Sequence, residues 1–344
     1  MNFEVIRWEN EKIVLLDQTK LPGVVSYRVC LTITELHDAI TVLAVRGAPL
    51  LGVAAAYGLY LGIKDYKEDT TAAFLKEMEW VAAYIKTSRP TAVNLFWALE
   101  RMLARARQHE KKSVAEIKQI LFREAERIKH EDYNLCRAMG ENGESLIEEG
   151  DVILTHCNAG ALATAGIGTA LAPLYVAKEK GRKFRVYVDE TRPLLQGARL
   201  TAWELTNNKI DAILICDNMA ASLMQKGIIK KVIVGADRVA RNGDAANKIG
   251  TYGVAVLAKH HGIPFYIAVP YSSFDMALKD GAAIPIEERS EEELKKIGEK
   301  QIAPDAVHTY NPAFDVTPHE FITAFITDRQ VIYPPFEDTL QEIV

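Results

Sequence analysis

The fold is decided by the stretch Asp151-Val152-Ile153-Leu154-Thr155-His156-Cys157-Asn158-Ala159-Gly160. Val152–Thr155 is a short apolar, β-branched run that ends abruptly in a polar exit closed by glycine, which reads as a buried strand feeding a loop. The rhythm then repeats. Strands are predicted at Val152–Thr155, Phe184–Val188, Ala212–Cys216, Val232–Gly235 and Phe265–Val269. Helical patterns separate them at Ala161–Lys178, Gln196–Asn207, Met219–Gln225 and Asn247–His260. Strands at this spacing with helical crossovers specify a parallel, doubly wound, Rossmann-like sheet. A last helix is predicted to begin at Thr317-Pro318-His319-Glu320, which has the form of a capping box with proline at the first helical position.

Upstream of Asp151 the pattern differs. Phe3–Trp8, Lys12–Gln18 and Ser26–Ile33 alternate apolar and polar residues, and Asn10 and Leu21-Pro22-Gly23 punctuate them as turns. This predicts a small antiparallel meander. From Thr34, read as an N-cap, the pattern is helical. Pro49 suits the first turn of an apolar helix through Ile63, and Thr91 opens another through Leu103. Ser113 caps a longer one with Ile117, Ile120, Leu121, Ala125 and Ile128 on one face. The expected α/β architecture is therefore a mainly helical N-terminal domain with a small antiparallel sheet, residues 1–145, followed by a Rossmann-like parallel-sheet domain, residues 146–344.

Composition narrows the function. Of 344 residues 49% are hydrophobic and 25% charged, the balance of a soluble globular protein. A net charge of −5 argues against a nucleic-acid or anionic-membrane surface, so an anionic ligand needs a local set of donors. Neither a signal peptide nor a membrane-spanning run is expected. Cys30, Cys136, Cys157 and Cys216 have no paired spacing and read as reduced thiols of a cytoplasmic protein. No HExxH or His/Cys cluster appears, so no metal is expected.

Open α/β sheets bind ligands beyond the C-terminal ends of their strands. The exits are His156–Gly160, Asp189-Glu190-Thr191-Arg192-Pro193, Asp217-Asn218 and Ala236-Asp237-Arg238, all more polar than the strands they end. A dinucleotide site needs G-x-G-x-x-G after the first strand. Gly160, Gly166 and Gly168 are spaced wrongly for it, although Asp189 stands where a ribose-binding acid would. Cys157, beside His156, is either a reactive thiol or a buried small hydrophobe. Asp237 is either a functional group at its strand exit or a cap of its turn. Asn247-Lys248, predicted to start a helix, either holds an anion or is a solvated helix end. In the helical half, Gly47 in Arg46-Gly47-Ala48-Pro49 permits close backbone approach and Arg46 offers a phosphate fork. An ordinary helix–helix turn explains the same residues, and Thr87–Thr91, with Arg89, has the same character.

Taken together, Arg46-Gly47-Ala48-Pro49, Arg89–Asn94, Thr155–Gly160, Glu190-Thr191-Arg192-Pro193 with Gln196–Arg199, Gly235-Ala236-Asp237-Arg238 and Asn247–Gly250 resemble, in order, the methylthioribose-1-phosphate isomerases. The resemblance runs from Asp17-Gln18-Thr19 to Asn311–Asp315. Arg46–Pro49 and Gly235–Arg238 alone mark a wider superfamily. It includes regulatory subunits of the translation initiation guanine-exchange factor and isomerases of 5-deoxyribose 1-phosphate and ribose 1,5-bisphosphate. Two positions depart from the pattern. Leu50-Leu51 follows Pro49 where Ala-Ile is common, and Gln330 stands where Gly is usual.

The resemblance implies an aldose–ketose isomerase of methionine salvage that converts methylthioribose 1-phosphate to methylthioribulose 1-phosphate without a cofactor. It implies Asp237 as proton donor, Cys157 as the second catalytic group, and Arg46, Gly47, Ala48, Arg89, Gln196, Asn247 and Lys248 as substrate-binding residues. It also implies a cytoplasmic homodimer.

Overall fold

Two successive residues with left-handed backbone, Asn10 (φ 49°) and Glu11 (φ 63°), reverse the chain between β1 (Ile6–Glu9) and β2 (Lys12–Leu16). Such a turn matches the twist of an antiparallel pair. With β3 (Tyr27–Cys30) it forms a three-stranded sheet in the order β1-β2-β3, the expected meander. The structure, a computed structural model, describes residues 3–67, 70–90 and 92–343. It falls into two units: Met1–Asn134 with Ala161–Gly166, and Leu135–Gly160 with Ile167–Val344.

In the first unit, α1 (Ile33–Thr41) is capped by Thr32, not by the expected Thr34. The Thr32 hydroxyl accepts from the Glu35 amide while the Glu35 carboxylate accepts from the Thr32 amide, and this reciprocal pair fixes the start. Next come α2 (Ala48–Ile63), α3 (Thr71–Lys86), α4 (Val93–Arg107) and α5 (Val114–Gly143), whose last turns belong to the second unit. Helix α2 is buried nearly all round and packs on α1, α3, α4 and β2, so it is the core of this unit. Leu50 and Leu51 lie in that core. Ser113 caps α5 as expected, through a capping box with Glu116. Thr91, the expected opener of the fourth helix, lies outside the described residues.

The second unit is built on β4 (Val152–Thr155), α6 (Ala172–Glu179), β5 (Arg185–Asp189), α7 (Ala202–Asn207), β6 (Asp211–Ile215), α8 (Ala220–Gln225) and β7 (Lys231–Gly235). There follow β8 (Arg238–Ala240), β9 (Ala245–Lys248), α9 (Thr251–His260), β10 (Phe265–Ala268), β11 (Phe274–Asp275), α10 (Glu292–Lys295), β12 (Lys296–Ile297), β13 (Lys300–Gln301), β14 (Phe314–Thr317), β15 (Ala324–Ile326), β16 (Val331–Ile332) and α11 (Phe336–Ile343). The main sheet has the order β16-β15-β10-β7-β4-β5-β6 and is parallel except for β16. Its faces alternate along each strand. Val232 and Val234 pack into one apolar cluster with Ala255, Ala258 and Phe325, and Ile233 packs into the other with Leu174, Val186 and Ala268. Each such buried side chain contributes about 1.5–3 kcal/mol, which fixes the register.

Three expectations are corrected. Of the helix expected over Ala161–Lys178 only the part from Ala172 is α-helical, in α6, and Ala161–Ala163 is a single 3-10 turn. Asn247-Lys248 do not start a helix; they end strand β9, which pairs with β14 (Asn247 opposite Asp315) and β8 in a second sheet, β11-β8-β9-β14. The helix starts only at Thr251, after Gly250. Nor does Thr317-Pro318-His319-Glu320 open a last helix. Thr317 ends β14, and His319–Phe321 is a single 3-10 turn before β15. The Asp244 carboxylate captures the His319 amide, at 2.9 Å, and Ala324–Ile326 pair in parallel with β10.

Candidate active site

The site follows from the strand order. From β4 the chain steps outward to β5 and β6, then returns to place β7 on the other flank of β4. The reversal makes a crevice at the C-terminal ends of β4 and β7, the place where open α/β sheets hold ligands. Leu154 of β4 lies opposite Val232 of β7, so the two strands emerge side by side. Cys157 leaves one and Asp237 leaves the other.

Cys157 is 8% exposed and has left-handed backbone, φ 62°. Thr191 (φ 64°) and Leu195 (φ 58°) share this rare conformation, which costs on the order of 1–3 kcal/mol per residue and persists only where the surroundings enforce it. The enforcing bonds are present. The Cys157 amide donates to Thr191 Oγ1 at 2.8 Å, and that hydroxyl donates to the Asp189 carbonyl at 3.1 Å. Thr201 Oγ1 donates to the Cys157 carbonyl at 2.5 Å and accepts from Asn158 Nδ2 at 3.1 Å. Asn158 Nδ2 also donates to the buried carboxylate of Glu204 at 2.8 Å. The supports come from Glu190-Thr191 after β5 and from a π-helical turn, Gly197–Thr201, leading into α7. Strained backbone next to a π-turn is typical of working sites.

Gln196 sits just ahead of that turn, buried, and its Oε1 has no hydrogen-bond partner among the described residues. Asp237 is half-buried, and its amide donates to the Ala246 carbonyl at 2.9 Å, which sets it beside β9. Asn247 is buried. Its Nδ2 donates to Thr251 Oγ1 at 2.9 Å, and that hydroxyl donates to the Lys248 carbonyl at 2.6 Å. The Lys248 ammonium lies over the Phe314 ring, 4.6 Å from its centroid. Cys157, Gln196, Asp237, Asn247 and Lys248 therefore all belong to the second unit, at strand exits or on the small sheet that grows from β7.

His156, Asp189 and Asp217 were legible only as polar exits, yet they cluster, His156 and Asp189 buried and Asp217 half-buried. Their ligand atoms lie within 4.8 Å of one another, a grouping able to hold a metal. Hydrogen bonds engage each of the three, with Asp189 Oδ1 left without a partner among the described residues. Imidazole Nε2 lies 2.8 Å from the Ile249 carbonyl, which only accepts, so Nε2 keeps its hydrogen. Nδ1 lies 3.0 Å from Asp189 Oδ2. The two Asp217 oxygens accept from the Thr191 and Arg192 amides, each at 2.7 Å. Burial by itself would lower the His156 pKa, but the Asp189 hydrogen bond and charge outweigh it and the net shift is upward. Burial raises Asp189 against the pull of His156. The donor set thus matches a buried ion pair better than a metal centre.

In the first unit, Arg46, Gly47 and Ala48 form the turn into α2, and Arg89 lies between α3 and α4. Gly52 of α2 lies close to the Asn94 carbonyl of α4, so the N-terminal ends of these helices are neighbours and present their positive dipole ends together. Gly47 (φ 99°) is required by a different neighbour than a ligand. A Cβ there would fall 2.4 Å from Ala163 Cα. The Ala161–Gly166 segment is held to this unit by Gln18 Nε2, which donates to the Leu162 carbonyl at 2.7 Å. The buried Asp132 carboxylate accepts from the Ala165 amide at 2.5 Å.

Comparison with known proteins gives the same direction. The Initiation factor 2 subunit family matches residues 44–334. A 5-deoxyribose 1-phosphate isomerase of Moorella thermoacetica is 50% identical, over 98% of this chain and 97% of that protein. The crystal structure of 5-methylthioribose 1-phosphate isomerase from Pyrococcus horikoshii OT3 superposes with a TM-score of 0.94 at 46% identity, covering 98% of this chain and 95% of that one. The translation initiation factor eIF-2B subunit delta from A. fulgidus superposes with a TM-score of 0.88 at 49% identity, covering 98% of each chain.

Proposed function

Because this chain belongs to the Initiation factor 2 subunit family, several of whose members are sugar-phosphate isomerases, we propose that it is an aldose–ketose isomerase of a ribose 1-phosphate whose C5 substituent is small and apolar, with methylthioribose 1-phosphate as substrate. One observation supports this reading above the others: Cys157 and Asp237 leave adjacent parallel strands at the point where the strand order reverses.

The chemistry calls for such a pair. An anomeric phosphate locks the sugar as a ring, so the ring C–O bond must be broken with an acid near the ring oxygen. Hydrogen must then move from C2 to C1, which requires a positioned base or a shielded path. Asp237 is the acid in this proposal and Cys157 the second group, held in place by Thr191 and Thr201. The buried Gln196 Oε1 accepts from a sugar hydroxyl. Arg46, Arg89 and Lys248 are assigned to the phosphate, with the Gly47-Ala48 backbone and Asn247 completing the binding set. The cytoplasmic homodimer implied by resemblance is part of the same proposal; sedimentation of the purified chain reads its oligomeric half.

The relative described as an initiation-factor subunit makes a partner-binding role the second reading. Kinetics with methylthioribose 1-phosphate, 5-deoxyribose 1-phosphate and ribose 1,5-bisphosphate separate the two. Turnover of the first, at equal or greater kcat/KM than the other two, supports the proposal. Preference for the bisphosphate would remove the apolar C5 requirement, and no turnover of any would favour the partner-binding role.

A further inference from the structure

We propose that His156 is a positioning residue of this site: hydrogen-bonded at both ring nitrogens, it ties the β4 exit that carries Cys157 to the Ile249-Gly250 turn that follows Asn247 and Lys248. The inference rests on the function proposed above for what those residues bind, but not for the state of the ring.

The geometry is specific. Nε2–H donates to the Ile249 carbonyl at 2.8 Å, one residue beyond Lys248. The next residue, Gly250 (φ 102°), lies flat against the ring, and a Cβ there would fall 2.8 Å from His156 Cε1. The far side of that turn is pinned by Asp315, whose two oxygens accept from the Gly250 amide at 2.7 Å and the Tyr252 amide at 3.0 Å. The Ile249-Gly250 turn, which follows directly on Asn247-Lys248, is thus clamped between His156 and Asp315, and Cys157 is the residue next to His156.

The ring performs this role as an imidazolium. It is 1% exposed and Asp189 is fully buried, with Oδ2 at Nδ1 and Oδ1 without a hydrogen-bond partner among the described residues. Asp217 after β6 and Asp315 on β14 add two further carboxylates whose charge acts on or is felt by His156, and Glu190 stands behind Asp189. Cys157 is the remaining titratable neighbour along the chain. Such a surround favours the doubly protonated ring against the cost of burial. The charge matters for position. An imidazolium has an N–H at both nitrogens, so the bond to Ile249 is permanent. Both nitrogens face acceptors, so a neutral ring that gives its one hydrogen to the Asp189 carboxylate leaves the Ile249 carbonyl without a donor.

Two variants and one spectrum test this. In the full chain labelled with 15N at histidine, one ring should keep both N–H groups across the ordinary histidine range, where the others lose one, and that signal should vanish in His156→Asn. A wild-type spectrum in which every ring titrates in that range would overturn the imidazolium. Asp189→Asn removes the carboxylate, and its His156 ring should lose one N–H within that range; a ring still doubly protonated there would overturn the role given to Asp189. His156→Asn keeps a donor near Asp189 but is too short to reach the Ile249 carbonyl, so its dissociation constant for inorganic phosphate, and its KM for methylthioribose 1-phosphate, should rise on the order of tenfold, with kcat changing less. Wild-type phosphate affinity and KM in folded His156→Asn would overturn the positioning role. Because the phosphate and NMR readouts need no turnover, an inactive wild-type protein would refute the proposed isomerase activity while leaving these two results to decide the role of His156.

Discussion

Cys157 and Asp237 leave neighbouring parallel strands on opposite sides of the point where the sheet reverses its strand order, with Leu154 and Val232 opposite one another just before the exits. The relationship is built by long-range pairing: β4 and β7 are separated in sequence by two complete strand–helix steps. A thiol and a carboxyl delivered to one crevice by rigid strands are held more closely than loops alone would hold them.

The phosphate contacts are the simplest part to probe. On the proposed function, Arg89→Ala and Lys248→Ala would each remove a charge-assisted phosphate contact worth roughly 1.5–3 kcal/mol. Substrate KM should rise by about one to two decades in each, as steady-state kinetics would read. Wild-type KM in both would mean that the anion binds elsewhere.

Gly47→Ala tests the turn ahead of α2. The new Cβ would meet Ala163 Cα at 2.4 Å in a backbone region that disfavours alanine (φ 99°). A loss of about 1–3 kcal/mol is expected, seen calorimetrically as a thermal midpoint lower by about 1–4 °C. An unchanged midpoint would show that Ala161–Gly166 is not seated there.

Asp132 predicts a pH dependence of stability. Burial pushes its carboxyl up to about 7, against the Ala165 amide, which lowers it. A folded pKa above the unfolded value means that the native state holds the proton more tightly. The stabilisation is therefore complete below about pH 4 and is lost as pH rises through about 7. Asp132→Asn keeps an oxygen for the Ala165 amide and removes the charge, so its midpoint should fall less than wild type between about pH 5 and pH 8. Parallel curves for the two proteins would show that Asp132 is not the group responsible.

Much of the fold was legible because its signals are local. Val232–Gly235 alternates its apolar faces as a strand must, and Ser113 with Glu116 spells its own cap. What failed had local signals overridden from afar. Ala245-Ala246-Asn247-Lys248 has reasonable helix formers, but β14, nearly seventy residues on, supplies a ladder. Thr317–Glu320 has the letters of a capping box, and Asp244 takes the amide that would have begun it. The site was read in the same uneven way. Cys157 and Asp237 stand out at strand exits, whereas His156 looked like a mere neighbour of Cys157. Its partners, Asp189 and the Ile249 carbonyl, are distant in sequence, and one is a backbone atom that no side-chain pattern announces.

The central claim is that Cys157 and Asp237 perform one hydrogen-transfer sequence, and the kcat of Cys157→Ala and Asp237→Asn on methylthioribose 1-phosphate tests it most directly. Loss of a general acid or base costs on the order of 10²–10⁴ in rate. Each variant should lose that much kcat with KM little changed and the thermal midpoint intact, and the double variant should lose less than the product of the two. Near-normal kcat in either folded variant would contradict the assignment of that residue. Near-normal kcat in both would contradict the account.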